Sequence, residues 1–511
     1  MKSRKNLTSL VLVILAITFE INASHAQTVD SKNSSKAVYL APPAPVFSDA
    51  ERQTELARRR GAVFAAMKKA NPNSIMILFS AAPRIYTNDV DYVFRQENNF
   101  YYLTMLKKAG AKLVLMPSNT ENPEILFLPK RDPATETWNG RMYGREDAQR
   151  ISGIKTVLDA EDFEPFLATI KTGKKFNKIK GVETFASVNA QRNLYLLLPV
   201  DEDAREWTQE TAFAQNWKTQ PAFKVENAQY IFWDLRLTKS PFEQKLLQHA
   251  IDITTEAQQR AWLAAARAKM EYEVQAEVEY VFRLRNADFW GYPSIVGCGP
   301  NATTLHYEES QGPVKSGDLL LMDVGAEYDH YTADVTRTFP VSGKFSREQA
   351  EIYQIVYDAQ EAAAEKIKPG ASFDDVNGAA VNTIRNGLFK LGLITDKNSQ
   401  QYRLWFMHGT SHWLGMNVHD VGAYNAKFKA GMVFTNEPGI YIRADTLDYL
   451  PKNAETEKFI AAIKPAFEKY KNIGVRIEDD MLVTKTGCEW MTKNLPRKID
   501  AIETLIAQAN Q

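Results

Sequence analysis

The sequence predicts an α/β protein of two domains, a smaller N-terminal α/β domain followed by a larger C-terminal one built on a duplicated α/β unit. Three observations point there. The chain has 511 residues, more than one hydrophobic core ordinarily serves. Apolar strand-like runs alternate with helical patterns across its first part. In its second part an order of two helices followed by strands occurs twice, with no sequence identity between the halves, and such a duplication suits a site between them.

Residues 1–26 stand apart. Lys2, Arg4 and Lys5 precede an apolar run from Leu7 to Phe19, and Ala23-Ser-His-Ala26 carries small residues at its ends. This is the order of an export signal. Glu20 and Asn22 interrupt the run too soon for it to span a bilayer comfortably. The expectation is cleavage near Ala26 and an exported protein, periplasmic or secreted, without a membrane partner once the signal is gone; an uncleaved anchor is the alternative. No cysteine near the cleavage point invites a lipid. Residues 27–45 read as a polar, proline-containing lead-in.

Residues 46–225 form the expected N-terminal domain. Ser48 to Ala70 reads as a helix, with apolar strands after it at Ser74–Phe79, Ala111–Met116 and Glu124–Leu128. Residues 226–505 form the second domain, whose clearest start is Ser240-Pro-Phe-Glu243: an N-cap serine, proline at the first helical position and a capping-box glutamate. Helices fit Pro241–Gln258 and Met270–Arg285, then strands near Ser294–Val296, Leu319–Val324 and Thr332–Phe339. Ser346-Arg-Glu-Gln349 opens another helix that Pro369-Gly370 ends. Phe373–Leu391 is the next helix, and strands follow near Met432–Asn436 and Gly474–Val483.

Composition is that of an ordinary globular protein, 44% hydrophobic and 24% charged, and 62 basic residues balance 62 acidic ones. Nothing in this balance favours nucleic acid or a membrane surface. Cys298 and Cys488 are too few for a disulfide framework, and neither has an activating base nearby in sequence. They read as buried thiols. Gly297-Cys-Gly299 superficially resembles a dinucleotide loop, but Pro300 and the lack of a following helix count against it.

Chemistry concentrates in the second domain. Asp323 closes the apolar run Leu319–Met322, and Asp334 follows in Thr332-Ala-Asp-Val-Thr-Arg-Thr338. With Tyr328-Asp-His330 as a hairpin turn, the two aspartates are expected to face each other across the pair, an arrangement of like charges that calls for a neutraliser. A shared cation is the simplest one; solvation on an exposed edge is the alternative. Three of the seven histidines fall at His408, His412 and His419. Gly409 stands where a zincin helix needs its glutamate, so that motif is excluded. Glu437 and Glu478 sit in apolar runs, and Arg476 shares a strand face with Glu478 by the two-residue period. Four carboxylates and one histidine form an oxygen-rich set suited to manganese-like ions, and two such ions can activate a water and polarise a scissile carbonyl.

The ordered set Leu305-His-Tyr307, Asp323, Asp334, His408 to Asp420, Glu437-Pro-Gly-Ile-Tyr441 and Arg476-Ile-Glu478-Asp resembles the pita-bread metallopeptidases: aminopeptidase P, prolidase and methionine aminopeptidase. The resemblance implies a pita-bread catalytic domain with two divalent metal ions, most simply Mn2+. Asp323 and His412 would each chelate one ion, Asp334 and Glu478 would bridge or share both, and Glu437 would be ligand and general base. His306 and His419 would line the substrate site, with His408 more peripheral. Tyr441, Arg476 and Asp89 would support them through hydrogen bonds. Asp91 to Tyr102 and Thr137-Trp-Asn-Gly-Arg141 resemble the N-terminal domain of bacterial aminopeptidase P, where a tryptophan at the place of Trp138 reaches a neighbouring subunit's site; packing in its own core is the other reading of Trp138. A homo-oligomer, dimer or tetramer, is implied. Asn436 departs from the family's apolar residue before Glu-Pro-Gly. The implied reaction is release of the residue before a proline from peptide substrates, with a dipeptide-specific prolidase as the nearest alternative and a catalytically silent peptide-binding protein as the more distant one.

Overall fold

The first helix begins where its capping chemistry dictates. In the computed structural model, which describes residues 38–187, 190–200 and 207–509, Ser48 Oγ accepts the Glu51 amide proton and the Glu51 carboxylate accepts that of Ser48. The helix Asp49–Ala70 follows. The expected export signal and the first part of the lead-in lie outside the described residues.

Strands Ile75–Phe79, Lys112–Leu115 and Glu124–Leu128 form where expected. They join Thr156–Asp159, Arg192–Leu196 and Phe223–Asn227 in a mixed six-stranded sheet. Successive side chains alternate across it: Ile75, Ile77 and Phe79 enter one hydrophobic cluster, Met76 and Leu78 another. Phe127 and Leu126 divide in the same way. A sheet covered on both faces is why these strands read as continuous apolar runs. The second cluster continues into the C-terminal part, where it takes in Leu246, Trp262 and Met322.

There Ser240 and Glu243 cap each other as the sequence indicates. The helix they open reaches Ala265 rather than Gln258, because Gln259-Arg-Ala-Trp-Leu-Ala-Ala265 holds no breaker. It packs on Glu271–Leu284, and Arg347–Ala364 packs on Phe373–Leu391. The third of these helices ends before Pro369-Gly370, since the amides of Lys366 and Ile367 fall back on carbonyls three residues earlier and tighten the last turn. Strands Ile295–Cys298, Leu319–Val324 and Val335–Pro340 follow the first helix pair; Val433–Asn436, Asp479–Val483 and Cys488–Trp490 follow the second. The repeated order of helices and strands is therefore present.

Two expected strands are broken. Thr332–Phe339 divides into Tyr331–Thr332 and Val335–Pro340, and Gly474–Val483 into Gly474–Arg476 and Asp479–Val483. Opposite the second gap, Glu437 and Pro438 separate Val433–Asn436 from Gly439–Tyr441. Each interruption carries a carboxylate that lines one cavity: Asp334, Glu478 and Glu437.

Candidate active site

The hairpin turn is Asp329-His330, both with left-handed φ (47° and 67°), as a two-residue turn between Tyr328 and Tyr331 requires. Its register corrects the expectation for the aspartates. Asp323 stands opposite Thr336, so Asp334 is its diagonal neighbour on the same face rather than its direct partner. Gly325 makes this possible, since a Cβ there would lie 1.9 Å from the Ala333 carbonyl oxygen. From the helix Pro241–Ala265, Gln258 Nε2 donates to the carbonyls of Met322 and Val335 and holds both strands from behind.

The two aspartates meet at Tyr292, whose hydroxyl lies 2.5 Å from Asp323 Oδ1 and 2.6 Å from Asp334 Oδ1. One phenolic proton satisfies one carboxylate, so the other needs a proton or a cation. Asp323 Oδ2 accepts from Arg476. Burial opposes its charge, but Arg476 and Tyr292 together hold its carboxyl below the usual range.

His412 faces the group from the loop beside Val433–Asn436. Its amide donates to Thr435 Oγ1 and its carbonyl accepts from the Thr435 amide. Nδ1–H donates to the Trp413 carbonyl at 3.1 Å, which leaves Nε2 3.2 Å from Asp334 Oδ2 and 3.5 Å from Glu437 Oε1. A backbone carbonyl on the far nitrogen is the usual support of a metal-ligating imidazole. Ligand atoms of Asp334, His412 and Glu478 all lie within 4.8 Å of one another. Glu478 also accepts from Thr336 Oγ1 at 2.6 Å, and Thr336 Oγ1 in turn accepts from Arg476 Nε.

Burial and mutual repulsion push Glu478 well above the ordinary carboxylate range, and burial raises Asp334 and carries Glu437 to about 7. For His412 burial pulls downward, but Asp334 and Glu437 carry it to about 9. Four carboxyls, those of Asp323, Asp334 and Glu478 buried and that of Glu437 partly so, with Arg476 as the guanidinium among them, are a set that divalent cations would satisfy, and the oxygen-rich donors suit hard ions.

The cavity, about 500 Å³, is lined by all five predicted metal-ligand residues together with His306, His408, His419 and Arg476. Burial lowers His408 to about 3 and His419 to about 4, so both are neutral. His408 Nδ1–H donates to the Gly409 carbonyl, Nε2 accepts from Tyr441 Oη, and Tyr441 Oη accepts from Arg476 Nη1 at 2.8 Å. A directional chain thus runs from Arg476 through Tyr441 to His408. His306 sits on a loop anchored by Glu271, which accepts from the amides of Cys298 and Gly312.

Two predicted residues are not brought to this cavity within the chain. Asp89 lies at the tip of the exposed hairpin formed by Ile85–Thr87 and Val90–Asp91. Trp138 is 87% exposed on the short helix Pro133–Asn139, which rules out packing in its own core. Asn436 is absorbed by a buried network: its Nδ2 donates to the Gln360 carbonyl, and Gln360 Nε2 donates back to the Asn436 carbonyl. Cys298 and Cys488 are both free, and burial raises the Cys298 thiol to about 11.

Sequence reasoning missed Tyr292, Thr336 and Asp480. Asp480 is fully buried and accepts the Asp334 amide proton. A tyrosine between Gly291 and Pro293, just before a buried strand, was the available signal for Tyr292. For Thr336 and Asp480 there was none, because their roles arise only where separate strands meet.

The profile of metallopeptidase family M24 matches residues 245–485, and that of the aminopeptidase P N-terminal domain matches residues 56–179. The Xaa-Pro aminopeptidase of Haemophilus influenzae is 36% identical over 466 residues, covering 88% of this chain and 97% of its own. That of Escherichia coli K12 is 34% identical over 476 residues, covering 91% and 100%. The solved structure of E. coli aminopeptidase P with the inhibitor Pro-Leu superposes with a TM-score of 0.77 at 32% identity, covering 90% of this chain and 99% of that one.

Proposed function

Because the chain belongs to metallopeptidase family M24 and carries the aminopeptidase P N-terminal domain, we propose that it is a Xaa-Pro aminopeptidase, releasing the N-terminal residue of peptides whose second residue is proline. The observation that carries this reading is the cluster of Asp334, His412 and Glu478 inside the cavity that also holds Asp323, Glu437, His306 and His419. Asp323, Asp334, His412, Glu437 and Glu478 would hold two divalent ions, with manganese as the metal their oxygen-rich character favours. Bound there, the ions supply Lewis acidity toward the scissile carbonyl and the attacking water.

The protein's own groups do the rest. Glu437, in the cavity wall beside His412, takes the proton of the attacking water and returns it to the leaving proline nitrogen. Neutral His419 hydrogen-bonds the peptide along the wall, and His306 lines the same wall. Arg476 fixes Asp323, and through Tyr441 it fixes His408. The pattern of Lys2, Arg4 and Lys5 before an apolar run supports export to the periplasm or beyond. The exposed Ile85, Tyr86, Val93 and Trp138 support association with further copies of the chain, since such apolar groups mark interaction surfaces.

The test is release of the first residue from a Xaa-Pro-Xaa tripeptide and from a Xaa-Pro dipeptide, with manganese and with chelator, beside Glu437→Ala. Tripeptide cleavage abolished by chelation and by the substitution is the expected result. Cleavage of the dipeptide alone identifies a prolidase, and no cleavage by metal-loaded protein refutes the assignment.

A further inference from the structure

Five carboxyl-bearing residues line the active cavity, and four of them are the predicted ligands Asp323, Asp334, Glu437 and Glu478. The fifth, Glu308, stands apart. It is exposed at the cavity wall two residues after His306. Asp323 and Glu478, by contrast, are engaged by Arg476 and Thr336. Among the described residues no hydrogen bond or ion pair holds the exposed Glu308 at the cavity wall, while Arg476, the guanidinium of the wall, is held by Asp323 and Tyr441.

The backbone bearing Glu308 is fixed although the side chain is exposed. Tyr307 Oη accepts from Asn301 Nδ2 at 3.0 Å and from the Gln311 amide at 3.2 Å. Glu271 accepts from Asn301 and from the Gly312 amide. These bonds clamp the loop on both sides of Glu308. Its neighbours in the wall suit a long aliphatic stem: Ile295, Leu305 and Val418, with the exposed ring of Tyr424 also in the lining. Apolar wall for methylenes, an aromatic face and a free carboxylate near the mouth are what a lysine or arginine side chain uses.

We infer that Glu308 is a specificity-determining residue that favours peptides with a lysine or arginine directly before or directly after the proline. The inference rests on the aminopeptidase reading and deepens it. A solvent-exposed pair of opposite charges at contact distance supports a preference of roughly two- to fivefold over a neutral side chain of the same length.

The experiment measures kcat/KM of the metal-loaded full chain on Lys-Pro-Ala against norleucine-Pro-Ala, and on Ala-Pro-Lys against Ala-Pro-norleucine. Norleucine keeps the stem and drops the charge, so each ratio isolates the charge. In the wild type at least one ratio should favour lysine by roughly two- to fivefold and shrink at high ionic strength. Glu308→Gln should bring that ratio to about one, and Glu308→Lys should invert it. Ratios near one for both pairs in the wild type, or ratios unchanged in both variants, would overturn the inference while leaving the aminopeptidase assignment standing. Failure of the wild type to cleave any of the four peptides would instead remove the assignment itself.

Discussion

Replacing Tyr292 by phenylalanine tests whether the two aspartates are poised by a shared hydroxyl. The ring volume is kept, so packing is preserved and the loss is confined to one oxygen. That oxygen lies 2.5 Å from Asp323 Oδ1 and 2.6 Å from Asp334 Oδ1. A hydrogen bond to a charged group contributes about 1.5–3 kcal/mol, which converts to roughly 10- to 100-fold in an equilibrium constant. Outer-sphere partners of metal ligands show losses of the same order. Tyr292→Phe should therefore bind manganese about 10- to 100-fold more weakly than the wild type. The assay is calorimetric titration of metal-stripped protein, with the recovery of peptidase activity followed in parallel. At saturating metal, KM for the peptide should change little. Manganese affinity within about twofold of wild type would refute the argument, because the hydroxyl would then contribute less than the smallest value expected of such a bond.

Other substitutions and conditions probe the rest of the site. Glu437→Gln keeps volume and removes the base, so kcat should fall about 10²- to 10⁴-fold with the fold intact by circular dichroism; a loss smaller than about tenfold would assign the proton to another group. The metal-free protein should lose stability as pH rises. Burial raises Glu437 from 4.5 to about 7, so its contribution is present below 4.5 and is lost as pH rises through 7. His412, raised to about 9, contributes below 6.5 and loses that contribution as pH passes through 9. A divalent ion takes the proton's place, so added manganese should raise the melting temperature more at about pH 8 than at about pH 5, and equal shifts would contradict this linkage. Arg337→Met removes a fully buried guanidinium that donates to Asp479 and to the carbonyls of Glu478, Leu495 and Pro496. Stranding Asp479 should cost about 3–5 kcal/mol in urea unfolding, and a cost under about 1 kcal/mol would show that Gln360, Thr492 and Arg497 suffice.

Local chemistry explains what could be read from the chain alone. Ser240 and Ser346 each placed a helix start correctly, because a capping box is complete within four residues, and the regular helical pattern from Ser48 placed the first. Leu319–Val324 and Phe373–Leu391 coincide with their expected limits, since an unbroken apolar run and a regular helical stripe carry their own boundaries. The carboxylates that line the cavity were legible as well: Asp323, Glu437 and Glu478 are charged groups in apolar surroundings, which conflict with burial unless chemistry demands them, and Asp334 stood out through its expected pairing with Asp323.

What only the tertiary structure decided is how separate segments meet. Period-two patterning extended the strands through Ala333–Asp334 and Ile477–Glu478, because side-chain alternation does not report where backbone pairing stops. The diagonal offset of Asp323 and Asp334 follows from a register fixed by the Asp329-His330 turn and by the room that Gly325 leaves for Ala333. Tyr292, Thr336 and Asp480 gain their roles from partners between 31 and 146 residues away, a separation at which neither propensity nor periodicity carries information. Asp89 and Trp138, read from motif alone, stand at the surface of the single chain, because a motif specifies residue type while packing specifies what lies beside it.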